Sequence, residues 1–372
     1  MIKYQASSIQ YRSEATNYQV SSIQYPVSER SDKSIQYRSE ATKETSIKYP
    51  VSSIGAQRQK YPVSERSDQS IQYRSEATNQ NGYHLMKTYL DCIPCFFKQA
   101  LFAARAAVDD EAKIKEVLDR VGMLVAEIPL DSPPPETGRL VYRTVRQITG
   151  VDDPFRHLKE ENLKKALDLY PALKQMVESA DNPLQTAVRL AIAGNVIDFG
   201  ANPRFVLEQD IEETVQREPA INHYKMFEEA ARCARDILYL GDNAGETVFD
   251  RILIETMGRP VTYAVRDRPV INDATMEDAI ASGLDKVAVV VSSGCDAPGT
   301  ILARCSPEFR DHFKKADLII SKGQGNYESL SGEQRPVFYL LKVKCPVIAK
   351  EIGVKEGDTV IKSTSMNPDK FG

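Results

Sequence analysis

Asp242 and Asn243, in the stretch YLGDNAGET, set a carboxylate and an amide side by side where an apolar run meets a glycine. Two hard oxygen donors at such a point suit a divalent cation, which takes carboxylate and carbonyl oxygens and keeps positions open for water and a substrate phosphate. A third oxygen is available from RDRPVINDAT, through Asp267, Asn272 or Asp273. The same residues also fit a plainer pattern. Asn243-Ala-Gly-Glu246 has the form of a capping box, with Asn243 as N-cap and Glu246 reaching back from the third helical position. The two readings are compatible, because a helix N-terminus also attracts anions.

SKGQGNYESL offers a second kind of chemistry. Lys322 and Gly323, with Gly325 and Asn326 close behind, follow an apolar run and precede a helical one. Backbone N–H groups and one ammonium in that setting can wrap phosphate oxygens. The spacing is not that of a Walker A loop, and an ordinary glycine turn accounts for it as well. In LLKVKC, Lys342 and Lys344 alternate, so one can point along a binding edge and the other away. CIPC, with Cys92 and Cys95, has the spacing of a zinc or redox pair, but no second pair and no preceding strand accompany it. Thiols packed at a helix start are the expectation there, with no metal.

These groups need elements to carry them. From residue 236 to 372, short β-rich runs (ILYLGD, VTYAVRD, KVAVVVSSG, DLIISKG and VFYLLKVKCPVIA) alternate with helical ones. ETVFDRILIETMG lines up Phe249, Ile252, Leu253 and Thr256 on one face and stops at Gly258. Apolar strands separated by amphipathic helices imply a mostly parallel sheet covered on both faces. Such a sheet binds ligands beyond the carboxyl ends of its strands, and the right-handed crossover rule brings the polar tips to one edge.

Residues 86–235 read as a helical domain. Ile114, Val117, Leu118, Val121, Leu124 and Val125 recur at helical spacing, with Asp109, Asp110 and Glu111 suited to the first turn. SPPPETGRLVYRTVRQITG carries prolines ahead of a further helix, and NPLQTAVRLAIAGN reads as a largely buried one. Residues 1–83 are different. SIQYRSEAT recurs at Ser8, Ser34 and Ser70, and YPVSERSD at Tyr25 and Tyr61, with no leucine before Leu85. Nearly identical polar copies with so little to fill a shared core are expected to be a disordered repetitive extension, with Met86 as the native start.

Composition narrows the function classes. The 372-residue chain carries 48 Lys and Arg against 52 Asp and Glu, a balance that gives no footing for nucleic acid or for a membrane surface. No apolar run approaches the ~18 residues of a spanning helix, and the N-terminal stretch lacks the charged-then-apolar layout expected of a signal peptide. Six cysteines in this length are no disulfide scaffold, so a cytoplasmic setting is expected. His84, His157, His223 and His312 are scattered, which leaves oxygen ligands for any metal.

Taken together, MKTYLDCIPCFFKQAL, AGNVIDFG, GDNAGE, RPVINDAT, SGCDAPGT, KGQGNYE and LLKVKC resemble, in order, the metal-dependent damage-control phosphatases once catalogued as domain of unknown function 89, in their stand-alone prokaryotic branch. The resemblance runs from Met86 to Gly372. It implies an α/β protein in which a helical N-terminal domain packs on a Rossmann-like, mostly parallel sheet domain, with one divalent metal in the cleft. The family's metal ligands match Asp242, Asn243 and Asp273. Its phosphate and substrate contacts match Lys322, Gly323 and Asn326, together with a strand lysine aligned with Lys344. The eukaryotic branch has Arg-Thr-x-Lys there, where this chain has Leu-Lys-Val-Lys. Asn195 and Asp198 match the helical domain's contribution to the cleft, and Asp296 is a weaker candidate.

The implied activity is hydrolysis of small phosphomonoesters, sugar phosphates or damaged phosphometabolites, with Mn²⁺, Mg²⁺, Co²⁺ or Ni²⁺ as cofactor. Asp242, Glu246 or Asp198 would transfer the proton. An aspartyl-phosphate route is disfavoured, since the DxD pattern is absent from LGDNAGE. A methyltransferase using S-adenosylmethionine, or a nucleotide-binding protein, is the alternative that the same sheet admits, and an interaction scaffold built on the repeats is a third. Substrate, metal identity and oligomeric state are not written in the sequence.

Overall fold

The computed structural model describes residues 86–194 and 211–364. The repeats, Asn195 and Asp198 lie outside the described residues.

The described residues begin with α1 (Cys92–Ala107), α2 (Glu111–Val125), α3 (Pro134–Thr149), α4 (Arg156–Glu178) and α5 (Pro183–Ala193). Their ends follow local chemistry. Asp110 caps α2, accepting from the backbone N–H of Ala112 at 2.9 Å and of Lys113 at 3.3 Å. Pro134 opens α3, where its missing N–H is no loss. Gly150 closes it at φ 74°. The periodic residues Ile114, Val117 and Val121 are buried as their spacing requires, in a core shared by α1, α2 and α3.

The sheet has seven strands: β1 (Ile221–Asn222), β2 (Ile237–Leu240), β3 (Val261–Val265), β4 (Val289–Ser292), β5 (Leu318–Lys322), β6 (Val337–Lys342) and β7 (Thr359–Ser363). Their order is β1-β7-β6-β5-β2-β3-β4. All pairings are parallel except β6 with β7. Six helices thread between the strands: α6 (Tyr224–Cys233), α7 (Thr247–Met257), α8 (Met276–Ala281), α9 (Pro307–Lys315), α10 (Gly323–Leu330) and α11 (Pro346–Ile352).

One core lies between the sheet and α4, α5, α6, α7 and α8, and the other lies against α9, α10 and α11. Covered on both sides, β2 is buried at every position, which is why its sequence shows no alternation.

Two details differ from the sequence reading. VFYLLKVKCPVIA is not one strand: β6 stops at Lys342, and Pro346 opens α11. The sheet also reaches back before residue 236, because β1 pairs with β7 at its edge.

Counted from β2, the order of β4-β3-β2-β5-β6 is the 3-2-1-4-5 arrangement of dinucleotide-binding sheets. The chain direction of winding reverses between β2 and β5. The crevice of the fold therefore opens between the tips that carry Asp242 and Lys322.

Candidate active site

Asp242 and Asn243 leave β2 just before a single turn of 3₁₀ helix, Ala244–Glu246, from which α7 continues. The RDRPVINDAT segment folds back beside them. Ala274 N–H donates to the Asp242 carbonyl at 2.7 Å, and Ala244 N–H donates to that of Asn272 at 2.8 Å. Asn243 and Asp273 thereby form an isolated antiparallel bridge. Delivering Asp273 requires Ile271 at φ 46°, a left-handed conformation costly for a β-branched residue. The apolar core of α1–α3, into which Val270 and Ile271 pack, holds it there.

Across the crevice, β5 ends in Lys322 and α10 begins at Gly323. Gly323 has φ 76°, and a Cβ on it would lie 1.9 Å from Oδ2 of Asp242. Only glycine lets the start of α10 approach the carboxylate so closely. The first turn is held by Asn326, whose Nδ2 donates to the carbonyls of Gly241 at 3.0 Å and Lys322 at 2.8 Å. Its Oδ1 accepts from Arg266 at 3.0 Å and from Thr300 at 2.8 Å.

Asp242, Glu246, Asp250 and Asp273 are all buried, as are Arg266 and Lys322. Arg266 donates to Asp273 at 2.7 Å and stands 4.0 Å from Asp242. Lys322 donates to Glu246 at 2.9 Å and to Asp250 at 2.6 Å. Four carboxylates against two cations leave this buried group formally two charges negative. The strain shows in the proton affinities. Burial, then the charges of Glu246 and Asp273, push Asp242 up to about 8. Burial raises Asp273 as well, against the opposing pull of Arg266. Burial works against the charge of Lys322, but Asp250 and Glu246 outweigh it and hold the ammonium above its ordinary value.

The sequence candidates are thus only partly assembled as expected. Asp242, Asn243, Asp273, Glu246, Lys322 and Gly323 come together at one edge. The capping box does not form: Asn243 makes no side-chain cap, and its Nδ2 instead donates to Glu246 at 2.5 Å and to Asp242 at 3.3 Å. Lys322 lies beneath the acids, its ammonium between Glu246 and Asp250, and Asn326 has both polar atoms engaged by the protein. Neither presents a group to solvent for a phosphate.

Lys344 is the exposed cation, on the turn after β6, where its backbone N–H donates to Gln324 at 3.1 Å. Its charge acts on both Asp242 and Asp273. Asp296 is ion-paired with Arg139 of α3.

Arg266 and Asp250 were not singled out in the sequence. An acid such as Asp250 beside the apolar Val248, Phe249, Ile252 and Leu253 was the available signal.

The described donors fit a hard cation by their chemistry: two carboxylates and one amide oxygen around a buried negative excess. Among the described residues no group of three or more His, Cys, Asp or Glu side chains is arranged to hold a metal.

Residues 88–360 match the sequence profile of the damage-control phosphatase ARMT1-like domain. The chain belongs to this family. It is 37% identical over 284 residues to an uncharacterized protein of Methanocaldococcus jannaschii, covering 73% of this chain and 93% of that one. It is 36% identical over 284 residues to a damage-control phosphatase of Pyrococcus horikoshii, covering 74% of this chain and 97% of the relative. The crystal structure of a DUF89 family protein from Pyrococcus horikoshii superposes with a TM-score of 0.72 at 34% identity, covering 75% of this chain and all of that one. Asp242, Asn243, Asp273 and the α10 turn all fall within the matched span.

Proposed function

We propose that the chain is a divalent-metal-dependent phosphatase acting on phosphomonoesters of small metabolites, sugar phosphates or damaged phosphometabolites. Family membership supports the phosphatase. The observation that carries the metal is the buried excess of carboxylate over cation at the fold's crevice, which a dication would neutralise.

Asp242, Asn243 and Asp273 would hold the ion; Mn²⁺, Mg²⁺, Co²⁺ and Ni²⁺ all accept such oxygen ligands. When bound, it would polarise a phosphoryl oxygen and acidify a water. The remaining work belongs to the chain. Arg266 opposes the effect of burial on Asp273 and aims its carboxylate, through the 2.7 Å contact. Gly323 lets Asp242 sit against the start of α10, where the helix dipole favours negative charge. Lys344, at the mouth, supplies the positive charge for the non-bridging phosphate oxygens that the sequence reading assigned to Lys322.

Glu246 has both oxygens engaged, by Asn243 and by Lys322, so proton transfer among the described candidates falls to Asp242. All six cysteines are free thiols, in keeping with a reducing compartment such as the cytoplasm. Among the described residues no helix is long and apolar enough to cross a membrane.

A panel of phosphoesters crossed with divalent cations tests the proposal. Wild-type protein is expected to hydrolyse a subset only when a metal is present, and Asp242→Ala to lose that activity while keeping its circular dichroism spectrum. Full activity in Asp242→Ala would refute the ligand assignment. A thermal shift with S-adenosylmethionine and none with Mn²⁺ would instead favour the methyltransferase alternative.

A further inference from the structure

Asp250 lies at the floor of the crevice, fully buried on α7, and none of the steps above touches it. A carboxylate in that position persists only if it is paired and hydrogen-bonded. Its oxygens are supplied from three elements. Oδ1 accepts from the hydroxyl of Tyr239 at 2.7 Å and from the ammonium of Lys322 at 2.6 Å, and Oδ2 accepts from the hydroxyl of Tyr263 at 2.8 Å. The two tyrosines are register partners on β2 and β3, their rings stacked 5.2 Å apart at 23°. Both strands thus present a hydroxyl to one carboxylate.

The consequence runs upward from there. With one side anchored on Asp250, the ammonium of Lys322 donates to Oε2 of Glu246 at 2.9 Å. Oε1 of Glu246 accepts from Nδ2 of Asn243 at 2.5 Å. Accepting at Oε1 holds the NH₂ end of the amide toward Glu246 and leaves the amide oxygen turned away from it. The terminal torsion of an asparagine is broad and roughly two-fold, and without Glu246 only the longer contact from Nδ2 to Oδ2 of Asp242, 3.3 Å, would remain to set it.

We propose that Asp250, held by Tyr239 and Tyr263, is a positioning residue for the metal ligand Asn243, acting through Lys322 and Glu246. The inference rests on the metal assignment made above. It makes Glu246 an orienting group and gives Lys322 its place beneath the site. Removing a partner bonded directly to a ligand, as Glu246 is to Asn243, typically costs a metal site about 10- to 100-fold in affinity.

Titration calorimetry of Mn²⁺ into metal-free, full-length protein tests the chain of contacts. Asp250→Asn is expected to weaken Mn²⁺ binding by about 10- to 100-fold. Phosphatase turnover should then fall at limiting Mn²⁺ and recover at saturating Mn²⁺, with KM for the phosphoester unchanged. A merely structural defect would not be rescued by metal. Tyr263→Phe, which deletes one hydroxyl and keeps the ring, should weaken Mn²⁺ in the same direction by less. Should Asp250→Asn fail to fold, this variant decides.

Mn²⁺ affinity within about twofold of wild type in the folded variants overturns the inference, whose premise is a partner effect well above that. Asp242→Ala separates the two levels. If it binds no Mn²⁺ while Asp250→Asn binds as wild type does, only the positioning role fails. If wild type binds no Mn²⁺, or Asp242→Ala binds it equally, the metal assignment fails and takes the positioning role with it.

Discussion

Asp242 carries the heaviest load of any side chain here. It sits in the crevice against Gly323, 4.0 Å from Arg266, and its pKa is pushed up to about 8 by burial and by its acidic neighbours. A carboxyl whose folded-state pKa exceeds its unfolded value binds its proton more tightly when folded. Between the unfolded value near ~4 and the folded one, the native state holds a proton that the unfolded chain has lost, so stability falls as pH rises through that window. Metal-free protein is therefore expected to melt at progressively lower temperature from about pH 5 to pH 8. Asp242→Asn should flatten that slope, and saturating Mn²⁺ should reverse it. Differential scanning calorimetry across pH, with and without metal, checks both; a slope that Asp242→Asn leaves unchanged assigns the effect elsewhere.

The first turn of α10 is the element on which the crevice depends, and it is built from close backbone approaches. A Cβ on Gly325 would lie 2.0 Å from the carbonyl oxygen of Pro298, and one on Gly323 would meet Asp242. The two contacts have different consequences. Gly325→Ala gains up to about 1 kcal/mol of helix propensity, but a backbone oxygen cannot step aside as a side chain can. The net expectation is a loss of about 1–3 kcal/mol, read as a lower melting temperature. Gly323→Ala is strained at φ 76° and also strikes a proposed ligand, so it should lower the melting temperature and lose metal-dependent turnover together. Assaying both variants for melting temperature and metal-dependent turnover tells these outcomes apart. Glycines in KGQGN signalled a special turn in the sequence, while the side chains of Lys322 and Asn326 turn inward, onto Glu246, Asp250 and the carbonyls of Gly241 and Lys322. Which groups stand between a glycine and solvent is a question of packing from β2, β3 and the loop after β4, and no local spacing encodes it.

At the scale of the whole chain, α3 ties the helical half to the loops that follow β3 and β4. Arg139 pairs with Asp296, Arg146 donates to the Pro269 carbonyl at 2.8 Å, and Arg304 forks onto Glu136. These links, with Val270 and Ile271 packed among α1–α3, explain why a helical domain is needed to deliver Asp273 at all. Met86 is buried and its backbone N–H reaches Ser331 at 2.9 Å, so the compact unit is already engaged at that residue. Protein beginning at Met86 is accordingly expected to match the melting temperature and metal-dependent activity of the full chain, as calorimetry and the phosphoester panel would show. A marked loss of either would assign the repeats a part in the fold or the site.

The sequence by itself determined the alternation of apolar strands and amphipathic helices and the edge on which the tips gather, while among Asp267, Asn272 and Asp273 it took the fold to bring Asp273 beside Asn243. Hydrophobic periodicity and turn chemistry are local, and they survive in one dimension. Only the tertiary structure decided that Asn243 orients toward Glu246 instead of capping a helix, and that Lys322 is an internal counter-ion shared by Glu246 and Asp250. Burial and charge balance arise from residues far apart in the chain, and those quantities set which side chains face the ligand and which hold the others in place.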